Sequence, residues 1–313
     1  MNVFASPGPE HAPRGPANPP GPLDEALFAG TVMAQAVRAA RDLVACAETH
    51  PDLFSAKPID TTTYHAVACA NAFGSPDLEA GDLRIANRTA LWIFGLDWLV
   101  DHKAAAREEI EDLNRRCLAV ADGGEPVPGD GLTAFLAEIR DEVAASPAFP
   151  ALRADWRTEL DRLLDAGVRE WDWKAAAAAG DTTALPTLND YLDNADNFGS
   201  AWVNVSHWIV RADPATLAHV APLRTISHEV QKALRLLNDL ATYERDVAWG
   251  DLNAQMLGVG RAEAAARIGQ IIEGCRDLLE PLREDCPEAT AYLERQIGYS
   301  TAFYGVSDYW GAL

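Results

Sequence analysis

Residues 238–246 read Asn-Asp-Leu-Ala-Thr-Tyr-Glu-Arg-Asp and lie in a segment of strongly helical composition. Oxygen-bearing side chains recur in it at every fourth position, as Asn238, Thr242 and Asp246. At about 100° per residue they span only roughly 80° of the helix circumference, so they point the same way. An amide, a hydroxyl and a carboxylate on one face can bind one hard cation, and the spacing predicts a magnesium site.

Two arginines share this helix face. Arg235 and Arg245 fall within roughly 60° of Asn238 by the same helical arithmetic. Such a mixture of cations and metal-binding oxygens suits an anionic ligand, because magnesium usually completes its octahedral shell with phosphate oxygens and water. The sequence therefore favours a diphosphate as the bound group. The alternative is an ordinary solvated helix face with intrahelical ion pairs.

A second acidic pair lies upstream. Residues 97–101 read Asp-Trp-Leu-Val-Asp and close the apolar run 91–96, which places Asp97 and Asp101 one helical turn apart. Carboxylates on the buried side of an apolar helix need a partner that compensates for their desolvation, and a divalent cation is a strong one. The pair predicts the other half of the same metal site. A chance pair at a helix end is the alternative.

Together, the two segments resemble the metal-binding motifs of class I terpene synthases. Asp97 and Asp101 match the first and last acids of the aspartate-rich DDxxD motif. The downstream motif, Asn-Asp-x-x-(Ser/Thr)-x-x-x-(Glu/Asp), is matched in order and spacing by Asn238, Thr242 and Asp246, with Arg245 at the basic position before the last acid.

The chain departs from the family pattern at several positions. Trp98 replaces the second aspartate, and Asp246 stands where glutamate is commoner. The diphosphate-sensing arginine of bacterial sesquiterpene synthases is missing, and Asp308-Tyr309 stands where Arg-Tyr is expected. The phrase from Tyr191 to Ser200, with Tyr-Leu-x-Asn-Ala followed by Gly-Ser, is more similar to labdane-related diterpene synthases.

The resemblance implies a magnesium-dependent diterpene cyclase or lyase. Such an enzyme ionises a C20 prenyl diphosphate, here a bicyclic labdane-type diphosphate, and releases diphosphate and a terpene hydrocarbon or alcohol. Its cofactor would be three Mg²⁺ ions, with Mn²⁺ as a substitute. A separate class II diterpene cyclase would supply the substrate, and related enzymes often form homodimers. A sesquiterpene or geranylgeranyl diphosphate cyclase of the same fold is the nearest alternative.

The resemblance also implies a role for individual residues. Those with a catalytic role would be Asp97, Asp101, Arg245, Phe198 and Gly199. Those that contact the substrate would be Arg235, Asn194, Tyr191, Trp202 and Tyr309. The metal ligands would be Asp97, Asp101, Asn238, Thr242 and Asp246. The family breaks a helix near Phe198, and Gly199-Ser200 is a suitable place for that break because glycine tolerates unusual backbone angles.

Other functions predict other patterns. A head-to-head prenyl synthase of the squalene or phytoene type places an asparagine three residues before Arg-Asp, whereas Asn238 lies seven residues before Arg245. A chain-elongating prenyltransferase needs a second aspartate-rich motif, for which residues 238–246 are a poor substitute. A non-catalytic helical interaction protein predicts that the two acidic segments do not share a cavity.

Composition limits the remaining choices. Helix formers dominate this 313-residue chain from Leu23 onward, which predicts an all-α, single-domain protein with about ten helices. The resemblance implies that these helices form the class I terpenoid synthase fold around a central apolar cavity. Residues 1–22 are rich in proline and predict a disordered tail, so the domain is expected at 23–313.

Charge and hydropathy limit the partners and the location of the protein. The net charge of −21 argues against binding to nucleic acid or anionic membranes. No apolar run approaches the roughly 20 residues of a membrane span, and no signal peptide is recognisable. A cytoplasmic protein without a membrane anchor is therefore expected.

Overall fold

The computed structural model describes residues 21–55 and 58–310. Its α-helices are α1 (Pro22–Thr49), α2 (Pro51–Phe54), α3 (Thr61–Gly74), α4 (Arg84–His102), α5 (Arg107–Ala121), α6 (Gly131–Ala144), α7 (Phe149–Ala178), α8 (Leu188–Asp193), α9 (Ser200–Arg211), α10 (Pro214–Ala218), α11 (Val220–Trp249), α12 (Arg261–Leu279) and α13 (Pro287–Tyr304). Short 3₁₀ helices span Ala195–Phe198, Ala254–Leu257 and Glu280–Leu282. No strand occurs in the described ranges, which confirms the all-α class.

The number of long helices agrees with the sequence. Across the described residues, ten helices have 12 residues or more, and only α2, α8 and α10 are shorter, with 4, 6 and 5 residues. Most of the predicted tail, residues 1–20, lies outside the described residues, and α1 begins at Pro22.

Side-chain caps explain where several helices begin. Asp60, Asp130 and Asp213 each accept a hydrogen bond from a backbone N–H in the first turn of the helix that follows, at 2.7, 3.2 and 2.8 Å. Thr187 and Asp190 form a reciprocal capping box at the start of α8. These caps satisfy backbone donors that a helix cannot satisfy within itself, so the loops before them end at defined residues.

The buried helix α9 organises the core, because it contacts α4, α7 and α11. Its Trp202 packs against Trp92 of α4 and Trp156 of α7, with ring centroids 5.1 and 5.7 Å apart. Indole N–H groups on both neighbours are satisfied: Trp92 donates to the Leu132 carbonyl and Trp156 to the Ser206 hydroxyl, each at 2.9 Å. This aromatic cluster fixes α4 and α7 on either side of α9.

None of the helices in the described part of the chain combines the length and the apolar character that a membrane span requires.

Candidate active site

A cavity of about 270 Å³ lies between α3, α4, α7, α11 and α13. Both acidic segments reach it: Asp97 and Asp101 line it from α4, and Asn238 and Asp246 line it from α11. The two segments, far apart along the chain, therefore face one shared space. A helical interaction protein without such a space does not account for this arrangement.

The α11 motif is held in order by its own hydrogen bonds. The Thr242 hydroxyl is buried and lies 2.9 Å from the Asn238 carbonyl oxygen and 2.6 Å from Asp246 Oδ2. Asn253 Nδ2 also donates to Asp246 Oδ2, at 2.9 Å. Thr242 itself does not belong to the cavity lining, so it orients Asp246 in this structure. Burial raises the pKa of Asp246, and these hydrogen bonds oppose the rise.

A lysine that the sequence did not single out occupies the other side of the site. Lys174 of α7 donates to Asp101 at 2.9 Å and to Asp251 at 2.6 Å, and Asp251 also lines the cavity. Trp98, which stands where the family has an aspartate, lies outside the lining and packs on His102, with ring centroids 4.8 Å apart. The α4 half of the site thus has two acids from its motif and one from the segment after α11.

Burial and mutual repulsion disfavour the ionised forms of the acids near α4. Burial raises the pKa of Asp97 well above its ordinary value, and the carboxylates of Asp101, Glu170 and Asp251 raise it further. Burial also raises the pKa of Asp101 to about 6, although Lys174 opposes the rise. Positive charge that enters such a site stabilises the ionised carboxylates gathered in it.

These residues fit a divalent metal that phosphate oxygens help to bind. In the described ranges no three His, Cys, Asp or Glu side chains converge closely enough to hold an ion alone. The protein instead offers two acids on one wall and an amide and an acid on the other, with the Thr242 hydroxyl bonded to that second acid. An open oxygen set of this kind suits magnesium, which usually keeps water and phosphate among its ligands.

The two arginines of α11 differ in how firmly they are held. Arg235 is 3% exposed and donates to Glu170 at 2.6 Å and to Asn197 at 2.5 Å, while its guanidinium lies 3.7 Å from the ring centroid of Tyr191. Arg245 makes one close pair, at 2.8 Å to Asp308. Arg245 is therefore the arginine that is freer to bind an incoming anion.

The helical path is interrupted at Gly199, where the sequence predicted a helix break. A 3₁₀ helix ends at Phe198, Gly199 adopts φ 73°, and α9 begins at Ser200. Gln231 of α11 spans the break, since its Oε1 accepts from the Ala201 N–H at 3.2 Å and its Nε2 donates to Asp196 at 2.6 Å. A Cβ at Gly199 would lie 2.5 Å from Ile93 Cδ1. Glycine is thus required by backbone angle and by space.

Three of the remaining predicted residues line the cavity, namely Tyr191, Phe198 and Tyr309. The Tyr191 hydroxyl donates to Asp239 at 3.0 Å, and Tyr309 packs on Phe303, with ring centroids 4.6 Å apart. The expected roles of Tyr191 and Tyr309 as substrate contacts, and of Phe198 in catalysis, stay predictions.

Two predicted substrate contacts do not reach the cavity lining. Trp202 is 1% exposed between two other tryptophans, because its side of α9 faces α4 and α7. Asn194 turns toward α7, where it donates to the Ala166 carbonyl at 3.0 Å and accepts from Arg169 at 2.6 Å. Both residues support the walls of the site in this structure, and their contact with a substrate stays a prediction.

Comparison with known proteins agrees with this geometry. Residues 88–277, well over half of the chain, match the family model described as terpene synthase family 2, C-terminal metal binding. The chain is also similar to the ent-pimara-9(11),15-diene synthase of Streptomyces sp. strain KO-3988, with 28% identity over 284 residues, which cover 88% of this chain and 93% of that protein.

Solved structures share the fold at low identity. One is the linalool/nerolidol synthase of Streptomyces clavuligerus in complex with 2-fluorogeranyl diphosphate, with a TM-score of 0.66, 17% identity and coverage of 87% of this chain and 93% of that one. Another is the 2-methylisoborneol synthase of Streptomyces coelicolor in complex with Mg²⁺ and geranyl-S-thiolodiphosphate, with a TM-score of 0.66, 14% identity and coverage of 86% and 91%. The chain belongs to terpene synthase family 2 and is a class I terpene synthase.

Proposed function

We propose that this protein is a magnesium-dependent diterpene synthase that ionises a bicyclic, labdane-type C20 diphosphate and releases diphosphate and a terpene hydrocarbon or alcohol. One observation carries the metal-dependent chemistry: oxygen-bearing faces of α4 and α11 line the same cavity. The choice of a C20 substrate rests on the Tyr191–Ser200 phrase and on the similarity to a protein named as a diterpene synthase.

The cavity has the two kinds of lining that such a substrate needs. Ile93 and Phe94 line it one helical turn before Asp97, so an apolar wall continues directly into the acidic end. Val203 of α9 and Leu163 of α7 extend the apolar lining. A prenyl diphosphate would place its charged group among the acids and arginine and its hydrocarbon against the apolar wall.

Magnesium, when bound, would supply Lewis-acid stabilisation of the negative charge that develops on the leaving diphosphate. Asp97, Asp101, Asn238, Thr242 and Asp246 are the residues proposed to hold it. Arg245 would donate charge-assisted hydrogen bonds to diphosphate oxygens, in place of its present bond to Asp308. Arg235 would position the helix break at residues 195–199 through Asn197, rather than bind the substrate directly.

The allylic cation left after ionisation needs a dry and electron-rich surface. Phe94, Tyr191, Phe198 and Tyr309 present aromatic rings to the cavity, and each ring can stabilise a cation by about 0.5–2 kcal/mol. Exclusion of water protects the cation until a ring closes or a proton leaves. Gly199 lets the chain turn beside this surface without a side chain.

A bicyclic diphosphate must come from an earlier cyclisation that leaves its diphosphate intact. That reaction starts by protonation of a double bond, whereas the acids of this cavity are proposed to hold metal ions. A separate class II cyclase is therefore the proposed source of the substrate.

Product analysis tests the proposal. Purified protein would be incubated with labdane-type, geranylgeranyl and farnesyl diphosphates, each with MgCl₂, with MnCl₂ and with EDTA. We expect a terpene product from the labdane-type diphosphate by gas chromatography and mass spectrometry, and none with EDTA. A product from geranylgeranyl or farnesyl diphosphate alone would move the enzyme to the alternative cyclase class, and no product from any of them would end the proposal.

A further inference from the structure

The cavity has a second polar region, at the end far from the acidic segments. Asn71 of α3 and Ser300 of α13 both line the cavity. Asn71 donates to Asn87 of α4 at 2.8 Å, and Asn87 lies ten residues before Asp97, which is about 15 Å along the helix axis. This polar region is therefore too distant from the proposed metal site to form part of it.

The packing of α3 on α13 brings the two polar side chains together. Phe73 of α3 stacks on Tyr299 of α13, with ring centroids 5.6 Å apart. Asn71 lies two residues before this phenylalanine, and Ser300 directly follows this tyrosine. Their positions along the two helix axes thus differ by less than about one turn. Asn71 and Ser300 therefore face the same end of the cavity from neighbouring walls.

The amide oxygen of Asn71 is left without a protein partner. Its Nδ2 donates to the Val67 carbonyl at 3.3 Å and to Asn87 Oδ1 at 2.8 Å. These two bonds fix the amide, because a flipped amide would place its oxygen against the Val67 carbonyl oxygen. No donor within the described ranges bonds to Asn71 Oδ1. Asn71 is only 7% exposed, so this oxygen needs a partner from the cavity.

The Ser300 hydroxyl is unpaired as well. Serine and threonine hydroxyls in helices often donate to the carbonyl one turn earlier, as Thr301 does to Ile297 at 2.8 Å. Ser300 is 7% exposed and makes no such bond to any residue that the structure describes. Gln296, one turn before it, is not available as a partner, because both ends of its amide bond Asn204, at 2.8 and 3.2 Å.

These two groups are complementary to a hydroxyl group. The Asn71 oxygen accepts a hydrogen bond and the Ser300 hydroxyl can donate one, whereas a hydroxyl ligand offers both a donor and acceptor sites. A purely hydrocarbon ligand would remove both groups from water without pairing them, which costs free energy. Neither side chain carries a charge, so a neutral oxygen fits this end of the cavity better than a phosphate.

We propose that Asn71 and Ser300 form a hydroxyl-binding site at the end of the cavity that receives the bicyclic part of the substrate. The inference rests on the proposed function, because a diphosphate held between α4 and α11 directs the hydrocarbon part toward α3 and α13. It also selects between the two product classes, since the product then carries an oxygen atom.

Two sources can supply the hydroxyl group. A substrate with a hydroxyl on its bicyclic part would bind directly and would be selected by the site. A water molecule held there would instead add to the final cation. Its oxygen forms a bond to the cationic carbon, and the proton that it loses passes to the diphosphate released at ionisation.

Product analysis in ¹⁸O-enriched water separates the two sources. Purified protein with MgCl₂ would receive labdane-type diphosphates with and without a hydroxyl group on the bicyclic part. A substrate hydroxyl predicts at least about tenfold higher kcat/KM for the hydroxylated compound, because a site built to bond a hydroxyl rejects the analogue that lacks it. A water hydroxyl predicts one ¹⁸O atom in the product of the other compound.

Variants test the two residues. Ser300→Ala should reduce the substrate preference or the ¹⁸O content by about threefold or more, which is the effect of one lost hydrogen bond. Asn71→Leu should reduce it too, but this change also removes the partner of Asn87. Thr301→Val is the matched control on α13, since Thr301 is exposed and bonds its own helix, and it should change neither readout.

A crystal structure gives a readout that does not depend on turnover. In wild-type crystals grown with MgCl₂ and inorganic diphosphate, we expect an ordered water bonded to Asn71 Oδ1 and Ser300 Oγ. Its absence, an active enzyme with neither substrate preference nor ¹⁸O in its product, or an unchanged readout in Ser300→Ala would overturn the hydroxyl site. Inactivity with every diphosphate would instead end the proposed function, and the crystal structure would still test the hydroxyl site.

Discussion

At the scale of single residues, the candidate active site gathers more negative charge than the protein balances. Asp97 shares a buried space with Asp101, Glu170 and Asp251, and Lys174 is the cation that lowers its pKa. Asp97 and Asn238 belong to opposite walls of the cavity. Loss of either should therefore impair binding of a shared metal and diphosphate.

We predict that Asp97→Ala and Asn238→Ala each lower turnover by about a hundredfold or more, as expected when stabilisation of the transition state is lost. Steady-state kinetics with the accepted diphosphate measure the effect, and thermal unfolding checks the fold. Asp77→Ala, at an exposed aspartate, is the control and should keep wild-type turnover. Near-normal turnover in either cavity variant would remove that residue from the proposed site.

Gly199 allows a second prediction at this scale. Gly199→Ala should destabilise the fold by about 1–3 kcal/mol from backbone strain alone, and further because the new Cβ meets Ile93 Cδ1. Ile93→Val removes that methyl group, so the double variant should be more stable than the sum of the two single effects. Urea unfolding measures the free energy of unfolding of Gly199→Ala, of Ile93→Val and of the double variant.

Gly180→Ala serves as the control for Gly199→Ala. Gly180 has φ 74°, and an added Cβ there would meet nothing within 4 Å, so this variant shows the backbone strain without the clash. Equal destabilisation at both glycines would show that the contact with Ile93 is unimportant.

At the scale of helices, the site depends on how α4, α7 and α11 meet. Lys174 connects α7 to Asp101 of α4 and to Asp251, which follows α11. The lysine is buried except for 15% of its side chain, and the two acids raise its pKa although burial opposes this. Its ammonium group thus holds the acidic ends together where the metal is proposed to bind.

We predict that Lys174→Met lowers stability without metal by about 3 kcal/mol, because two acids lose a buried partner. Addition of MgCl₂ should raise the melting temperature of this variant more than that of the wild type, since a cation then replaces the missing charge. Lys232→Met is the matched control. Lys232 also joins two carboxylates, Asp193 at 3.0 Å and Glu229 at 2.9 Å, outside the cavity lining. Equal responses to magnesium in both variants would contradict this role for Lys174.

The sequence predicted the local parts of the site and missed the contributions that come from distant helices. Asn238, Thr242 and Asp246 share one helix, so their spacing alone aligns them. Lys174 and Asp251 carry no such pattern, because they meet Asp101 only after α7 and the segment following α11 have packed against α4.

The same limitation applies to Trp202 and Asn194, which were predicted to contact the substrate. Helical spacing shows that an aromatic or amide side chain lies on a buried face, but not which neighbour covers it. Trp202 faces other tryptophans and Asn194 faces α7, so neither reaches the cavity. The fold class was predictable throughout, since it depends on helix formers and breakers along the whole chain.

At the scale of the whole molecule, one buried histidine should make stability depend on pH. Burial and the nearby Arg211 lower the pKa of His207 to about 4, against the smaller opposing effect of Asp82. His207 also stacks on Tyr292, with ring centroids 5.5 Å apart. The unfolded chain binds the proton at the ordinary pKa of about 6.5. The stability contributed by neutral His207 is therefore complete above pH 6.5 and decreases as the pH falls toward 4.

We predict that the wild type loses about 2 kcal/mol of unfolding free energy through this residue between pH 7.5 and pH 5. The His207→Gln variant should lose less unfolding free energy than the wild type over the same pH range in urea unfolding experiments. His65→Gln, at an exposed histidine, should retain the wild-type pH dependence. An unchanged pH dependence in His207→Gln would contradict the assignment.

The central claim is that two separate helix faces share metal ions that hold a diphosphate. Crystals grown with MnCl₂ and inorganic diphosphate test it most directly, because manganese can be located by its anomalous scattering. The account predicts anomalous peaks between Asp97 and Asp101 on one wall and Asn238, Thr242 and Asp246 on the other, with diphosphate oxygens completing the coordination. A diphosphate bound without manganese between these walls, or manganese bound only elsewhere, would contradict it.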